Sequence, residues 1–281
     1  MKPGEASSTA KLIAAATILL ASDRNTAPLV APGAADLCRQ LLSLKRSDRW
    51  LARSAAHPVT RRIWRWMEQL THPGIVAHYW HRKRWIEEHC RHAMAAGHER
   101  VIVVGAGFDT LGYRLARELG AEVLEIDHPS TQAAKHAALG DDVLQLIALD
   151  LATHALPRAV VENRKSAVVI LEGVLMYLGP EAIDRLFASL RGMAAESLTV
   201  IFSFMTRWPD GTAGFRPRSW LVERWLALRG EPFDWAIEPE ALGAFLEQRG
   251  FALSELALTH ELGPGSGKLD GENLAVCERV R

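Results

Sequence analysis

The chain has 281 residues, 48% of them hydrophobic, and its 33 basic side chains are balanced by 33 acidic ones. That length and apolar content suffice for one large core, and the zero net formal charge excludes an overall field for nucleic acid or anionic lipid, although basic residues crowd the first hundred positions. Cys38, Cys90 and Cys277 lie far apart without metal-type spacing, which points to reduced thiols and no metal centre.

Near the N-terminus, KLIAAATILLAS (11–22) reads either as the h-region of a secretory signal or as an Ala/Leu helix packed on the domain. The helix is the adopted reading, because no cleavage site is clear, and a cytoplasmic protein without a membrane span is expected. The pattern stays helical to residue 96, punctuated at Pro28, Pro32-Gly33, Pro58 and Pro73-Gly74. Within it, Ile63/Trp66/Met67/Leu70 and His81/Trp85/Ile86 recur at helical spacing and are expected to form buried stripes while nearby arginines face water. The basic triplet RKR (82–84), set among Trp64, Trp66, Trp80 and Trp85, also fits a base-stacking surface, but the neutral total charge argues against a nucleic-acid partner.

From residue 101 the texture changes. VIVVG (101–105), EVLEID (122–127), VLQLIALD (143–150), AVVILEG (167–173) and LTVIFSF (198–204) are strand-like, and helical stretches are expected at 109–119, 129–138 and 180–191. Strands spaced by helices imply right-handed crossovers and a parallel sheet covered on both faces. SWLVERWLALRG and PEALGAFLEQRG then read as helices closed by Gly230 and Gly250, before strands at 251–262 and 273–280 joined by GPGSGKLDGE. The expected fold is a doubly wound, mostly parallel Rossmann-like α/β sheet of seven strands with an antiparallel C-terminal strand. Residues 1–96 form a helical cap, and 97–281 form the binding domain with a lid insertion near 205–235.

The first strand feeds VVGAGFDT. Gly105 and Gly107 suit a ligand-cradling turn, but the dinucleotide fingerprint requires glycine at 110, where Thr110 stands. Asp109 would occupy the anion position at the helix N-terminus and repel a diphosphate. Three strand ends also carry acids: Asp127, Asp150 and Glu172. S-adenosylmethionine suits such a site, since it offers ribose hydroxyls, a sulfonium and an ammonium but no phosphate. Asp127 stands where a carboxylate accepts both ribose hydroxyls. Asp150 with the Leu151 amide would meet the adenine, and Glu172 would lie beside the amino group. Singly, each acid is equally well read as solvated or helix-capping.

VVGAGFDTLGYRL, LEIDHPSTQAAK, IALDL and ILEGVLMYL, in this order, resemble the motifs of the leucine carboxyl methyltransferase-like enzymes, a branch of the class I S-adenosylmethionine-dependent methyltransferases. The resemblance is specific over about residues 75–205, and STAKLIAAATILLAS resembles the opening helix of bacterial members more loosely. It implies cofactor contacts from Gly105, Gly107, Asp109, Thr110, Asp127, His128, Asp150, Leu151 and Glu172. It also implies that Arg82, in HRKRWIEE, binds the methionyl carboxylate. Two positions depart from bacterial relatives: Leu111 replaces an arginine after the DT pair, and Glu87 replaces an aspartate.

The resemblance implies O-methylation, often of a carboxylate, of a small molecule in specialised metabolism. Tyr177 is the candidate catalytic residue, bordering the sulfonium or orienting the acceptor, with packing as its alternative role. Ser203 and His260 are weaker candidates. The acceptor pocket is expected between the cap and 205–235, whose Trp208, Phe215, Trp220, Trp225 and Phe233 stand beside Arg207, Arg216 and Arg218. Two alternatives use the same motifs: an enzyme that cyclises or cleaves the cofactor's aminocarboxypropyl arm, releasing methylthioadenosine, and a non-catalytic or dinucleotide-binding module. The sequence does not fix the oligomeric state.

Overall fold

A computed structural model describes residues 6–140, 144–263 and 268–280. Five helices come first: α1 (Ser8–Ala21), α2 (Ala34–Leu41), α3 (Arg46–Ala56), α4 (Pro58–Thr71) and α5 (Ile75–Ala95). Strands and helices then alternate through β1 (Arg100–Val104), α6 (Leu111–Leu119), β2 (Glu122–Asp127), α7 (Pro129–Leu139), β3 (Gln145–Ala148), α8 (Arg158–Val161), β4 (Ala167–Leu171), α9 (Pro180–Arg191) and β5 (Leu198–Met205). They are followed by α10 (Trp220–Arg229), α11 (Leu242–Glu247), β6 (Phe251–Ala257) and β7 (Glu272–Arg279). Pro58, Pro129 and Pro180 open α4, α7 and α9, where a missing N–H costs no helical bond.

The strands form one seven-stranded sheet in the order β3-β2-β1-β4-β5-β7-β6. The first five run parallel, and β7 is antiparallel to both β5 and β6. Alternation along each strand supplies two cores. Ile102, Val104, Leu124, Ile126, Val169 and Val200 enter one face, while Val101, Val103, Val123, Val168, Ile170 and Ile201 enter the other. Burying each such side chain contributes roughly 1.5–3 kcal/mol, which is why apolar runs without polar alternation fold as central strands. A third cluster joins α1, α2 and α3 around Ile18, Leu19, Leu41 and Ala55, and Phe108 of the glycine turn packs into it. Through Phe108 the N-terminal helices are held against the turn after β1.

An ion pair buried on both sides fixes that turn from below. Glu125 of β2 and Lys135 of α7 are fully buried, with Nζ 2.5 Å from Oε2, and the same ammonium donates to the Asp109 carbonyl at 2.7 Å. Gly112 makes room for this arrangement, because a Cβ there would lie 2.5 Å from Glu125 Oε1.

Several expected boundaries move. The run read as a strand over 143–150 pairs only over Gln145–Ala148, and residue 143 lies outside the described residues. The run at 251–262 ends as a strand at Ala257, where Leu258 begins a turn of 3-10 helix over Thr259–Glu261. Part of the glycine-rich connection, 264–267, lies outside the described residues, and Glu272, assigned to it from sequence, opens β7.

One expectation is overturned. Ile63, Trp66, Met67 and Leu70 are exposed rather than buried, because the opposite, polar side of α4 makes its contacts with the chain. Arg61 donates to the Ser22 carbonyl, Arg65 pairs with Asp23, and Glu68 accepts the Val76 N–H at 3.2 Å. On α5 His81 and Ile86 of the expected stripe are buried and Trp85 is half-buried, yet Arg82 is buried with them. No described helix is long and apolar enough to cross a membrane.

Candidate functional site

At the carboxyl ends of β1, β2 and β4 lies a cavity of about 300 Å³. Gly105, Gly107, Asp109, Asp127, His128, Asp150, Leu151, Glu172, Arg82 and Tyr177 all line it. Of the cofactor contacts and catalytic residue expected from sequence, Thr110 alone lies outside. It precedes α6, is buried, and borders a second cavity of about 530 Å³ between α1, α5 and the turn.

The glycine turn is shaped by contact. Gly105 adopts φ +71°, and a Cβ on it would meet Val174 Cγ2 at 2.2 Å. Gly107 adopts φ +51°, and its missing Cβ would lie 3.2 Å from Ala10 of α1. Left-handed backbone and close approach therefore both call for glycine here. The Gly107 N–H, the amide that would face a phosphate, donates instead to Asp127 Oδ2 at 2.5 Å, and His128 N–H donates to Oδ1 at 2.5 Å. Burial raises the Asp127 carboxyl above its usual range, against the two backbone bonds.

Asp109 supplies its own anion to the α6 N-terminus. Its Oδ1 accepts from Thr110 N–H at 2.6 Å and Leu111 N–H at 3.3 Å, and lies 3.2 Å from Lys83 Nζ. Although burial works to raise it, Lys83 and Lys135 hold this carboxyl far below the ordinary range. Asp150 Oδ1 accepts the Ala152 N–H at 3.0 Å, turning the chain after β3 so that Leu151 faces the cavity. His128 begins α7, its ring nitrogen Nδ1 accepting the Ser130 N–H at 3.3 Å.

The centre is a cluster of two cations and three carboxylates. Arg82 donates through Nε and Nη2 to Glu172 Oε1 at 3.0 and 2.7 Å, and through Nη1 to both oxygens of Glu272 at 2.7 Å. Lys83 Nζ donates to the same Glu172 oxygen at 3.0 Å. Glu172 Oε2 is buried without a hydrogen-bond partner among the described residues. Glu272 also sits 2.8 Å from His78 Nε2; burial works to raise it, but Arg82 and His78 hold it at about 2. Among the described residues, seven carboxylates and two cationic side chains line the cavity, leaving five formal negative charges.

The roof and far end come from both ends of the sequence. Ser7, Thr9, Ala10 and Ile13 of the α1 region face inward opposite Phe215, Glu231 and Phe233. Glu231 accepts from Ser8 N–H at 3.0 Å, Thr9 N–H at 3.2 Å and the Thr9 hydroxyl at 2.5 Å, so it caps α1 from more than 200 residues away. Tyr177 packs against Phe233 with ring centroids 5.7 Å apart, and burial pushes its phenol far up, so it stays protonated.

Other candidates fall elsewhere. Ser203 is buried and its hydroxyl accepts the Gly173 N–H at 2.8 Å, which fixes the turn after β4. His260 does not line the cavity, and Trp220 is 68% exposed. Glu87 pairs with Arg114 at 2.5 Å, tying α5 to α6 beside the place where Leu111 departs from relatives. Sequence reasoning missed Glu272, His78, Lys83 and Glu231. The usable signals were an acid at the mouth of a buried strand and a lysine next to Arg82. Among the described residues no group of three or more His, Cys, Asp or Glu is placed to hold a metal ion.

Comparison with known proteins places this geometry. A Mycolicibacterium smegmatis protein provisionally named an S-adenosyl-L-methionine-dependent methyltransferase is 32% identical over 51% of this chain and 50% of its own length. The chain spans half or less of the length of the curated relatives it matches first. A Thermobifida fusca structure provisionally named a methyltransferase has the same fold, with a TM-score of 0.58, 18% identity, and coverage of 87% of this chain and 94% of that one. The Burkholderia thailandensis 1,6-didemethyltoxoflavin-N1-methyltransferase, solved with S-adenosylhomocysteine and 1,6-didemethyltoxoflavin, shares the fold at a TM-score of 0.50 and 14% identity, over 71% and 79% of the two chains. The leucine carboxyl methyltransferase family pattern itself matches residues 10–191, running from α1 through the glycine turn and the acidic strand ends to the close of α9. With about two thirds of its length so matched, the chain belongs to the leucine carboxyl methyltransferase family.

Proposed function

We propose that the protein is an S-adenosylmethionine-dependent methyltransferase that methylates an oxygen of a small molecule in specialised metabolism, a carboxylate foremost. In this reading residues 1–96 act as a helical cap on the binding domain 97–281, and 205–235 act as the lid. The observation that carries the reading is the polarity of the cavity: its seven carboxylates face two cations, and Asp127 already occupies the amide a phosphate would need.

The residues present fit such a cofactor. Asp127 keeps lone pairs free for two ribose hydroxyls while its backbone bonds hold the carboxylate in place. Asp150 and Leu151 stand at the neighbouring strand end, where the adenine would lie. The unpartnered Glu172 Oε2 is an acceptor awaiting an ammonium donor. Arg82 donates four hydrogen bonds to Glu172 and Glu272, which leaves an Nη2 N–H for a methionyl carboxylate and makes the guanidinium first a clamp on Glu172.

When bound, the cofactor supplies an electrophilic methyl group on a cationic sulfur. The chain positions and desolvates. Phe215, Phe233 and the α1 roof exclude water at the acceptor end, and the protonated Tyr177 phenol donates a hydrogen bond that orients an acceptor oxygen. An acceptor that arrives as a carboxylate needs no general base at neutral pH.

Calorimetry with S-adenosylhomocysteine and with a nicotinamide dinucleotide tests the cofactor assignment; tighter binding of the dinucleotide ends it. Incubation with S-adenosylmethionine alone tests the reaction. Rapid release of methylthioadenosine would replace methyl transfer with chemistry on the cofactor's own arm.

A further inference from the structure

Helix α4 is packed inside out. Val59, Ile63, Trp66, Met67 and Leu70 fall within an arc of roughly 100° on the helix, and they are 63%, 51%, 63%, 51% and 60% exposed. The opposite side meets the protein: Trp64 Nε1 donates to Ser54 Oγ at 3.2 Å, and Arg61, Arg65 and Glu68 are spent on the contacts described above. An amphipathic helix that turns its polar side inward leaves its apolar side for something else.

The surroundings of the ridge are basic. On α3 Trp50 is 68% exposed and Arg46, Arg49 and Arg53 are exposed, as are Lys45 just before that helix and Arg62 on α4 itself. Residues 43–71 contain only two acids. Asp48 is buried against Lys11 at 3.1 Å, and Glu68 is half-buried on the Val76 N–H. Residues 43–71 therefore carry an apolar ridge, two exposed tryptophans and, besides the Arg65 that pairs with Asp23, five exposed bases, without one exposed acid.

We propose that the outer face of the α3–α4 hairpin docks the protein on an anionic lipid surface. Charge decides the occupant. A second copy applied symmetrically would set these bases against their own counterparts, with no exposed acid on the face to answer them. Anionic headgroups answer all of them at once, while tryptophans and aliphatic side chains suit the headgroup and acyl boundary. The balanced total charge hides this surface because the compensating acids lie elsewhere, many of them in the cavity. The face borders neither cavity, so docking leaves both free.

The test is sedimentation of the full chain with vesicles of phosphatidylcholine alone and of phosphatidylcholine mixed with phosphatidylglycerol. Binding is expected only to the second, weakening as salt shortens the Debye length. Each base near such a surface is worth roughly fivefold in affinity, so Arg46→Gln, Arg53→Gln and Arg62→Gln together should lower it roughly a hundredfold. Ile63→Ser with Trp66→Ser should lower it by at least about tenfold through lost apolar contact. Quenching of wild-type tryptophan fluorescence by brominated anionic lipid needs no variant and should report insertion directly. The proposal is overturned by absence of binding to anionic vesicles, by equal binding to both vesicle types, or by affinity unchanged in both variants. A concentration-dependent dimer abolished by Ile63→Ser with Trp66→Ser would overturn it too, assigning the face to a second copy.

Discussion

Arg82→Ala probes the centre of the acidic cavity. The Arg82 side chain is 4% exposed and spans Glu172 and Glu272, whose side chains are 8% and 1% exposed; without it Glu172 keeps only Lys83, and Glu272 keeps only His78, among the described residues. Removing one partner of a buried ion pair costs about 3–5 kcal/mol, because the remaining charge is left uncompensated. For a chain of this size one kcal/mol moves Tm by roughly 2 °C, so a fall of about 6–10 °C is expected. The loss also has a pH signature. Glu272 is held at about 2 against an ordinary 4.5, so its stabilising contribution is complete above 4.5 and disappears as pH falls toward 2. Wild type and variant should therefore converge in that window. Adding Glu272→Gln to Arg82→Ala should recover part of the loss, since a neutral amide needs no cation. Calorimetric melts across pH, with and without S-adenosylhomocysteine, read all three effects. An Arg82→Ala protein with unchanged Tm but much weaker ligand binding would refute the clamp and leave the guanidinium as a free ligand group.

Asp127→Asn should weaken S-adenosylhomocysteine binding by about 1.5–3 kcal/mol in calorimetry, through loss of charge-assisted hydrogen bonds; unchanged affinity in a folded variant would remove the ribose assignment. Because burial raises the Asp127 pKa, the folded state holds that proton more tightly than the unfolded chain, so this group's contribution to stability is present at low pH and lost as pH rises through the folded pKa. Ligand affinity should run the other way, falling as pH drops through the same value, and the Asn variant should flatten both profiles in paired melts and titrations. Gly105→Ala places a methyl group 2.2 Å from Val174 at positive φ and should cost about 1–3 kcal/mol in chemical denaturation; a neutral result would mean the turn relaxes freely.

The sheet was legible because parallel strands buried on both faces must be apolar almost throughout, as β4 is along its whole length and β1 is after Arg100. The turn was legible because glycines spaced after a strand have few other uses, and Asp109 and Asp127 fell where their local backbone needed an acceptor. What sequence could not supply was partnership across distance. Glu272 meets Arg82 only because β7 returns antiparallel beside β5, and Glu231 meets α1 only after the whole sheet has been wound. Helix α4 misled for a related reason: periodicity identifies an apolar stripe, but which way the helix rolls was set by Ser22, Asp23 and Val76.

The ceiling over the glycine turn is an N-terminal helix whose fastening lies near residue 231. A fragment beginning at β1 would keep every strand-end acid yet present an open trough to water, and swapping the first twenty residues between relatives would succeed only if the distant carboxylate travelled with them. The enclosure of the cavity thus depends on matched pieces that lie far apart in the polypeptide.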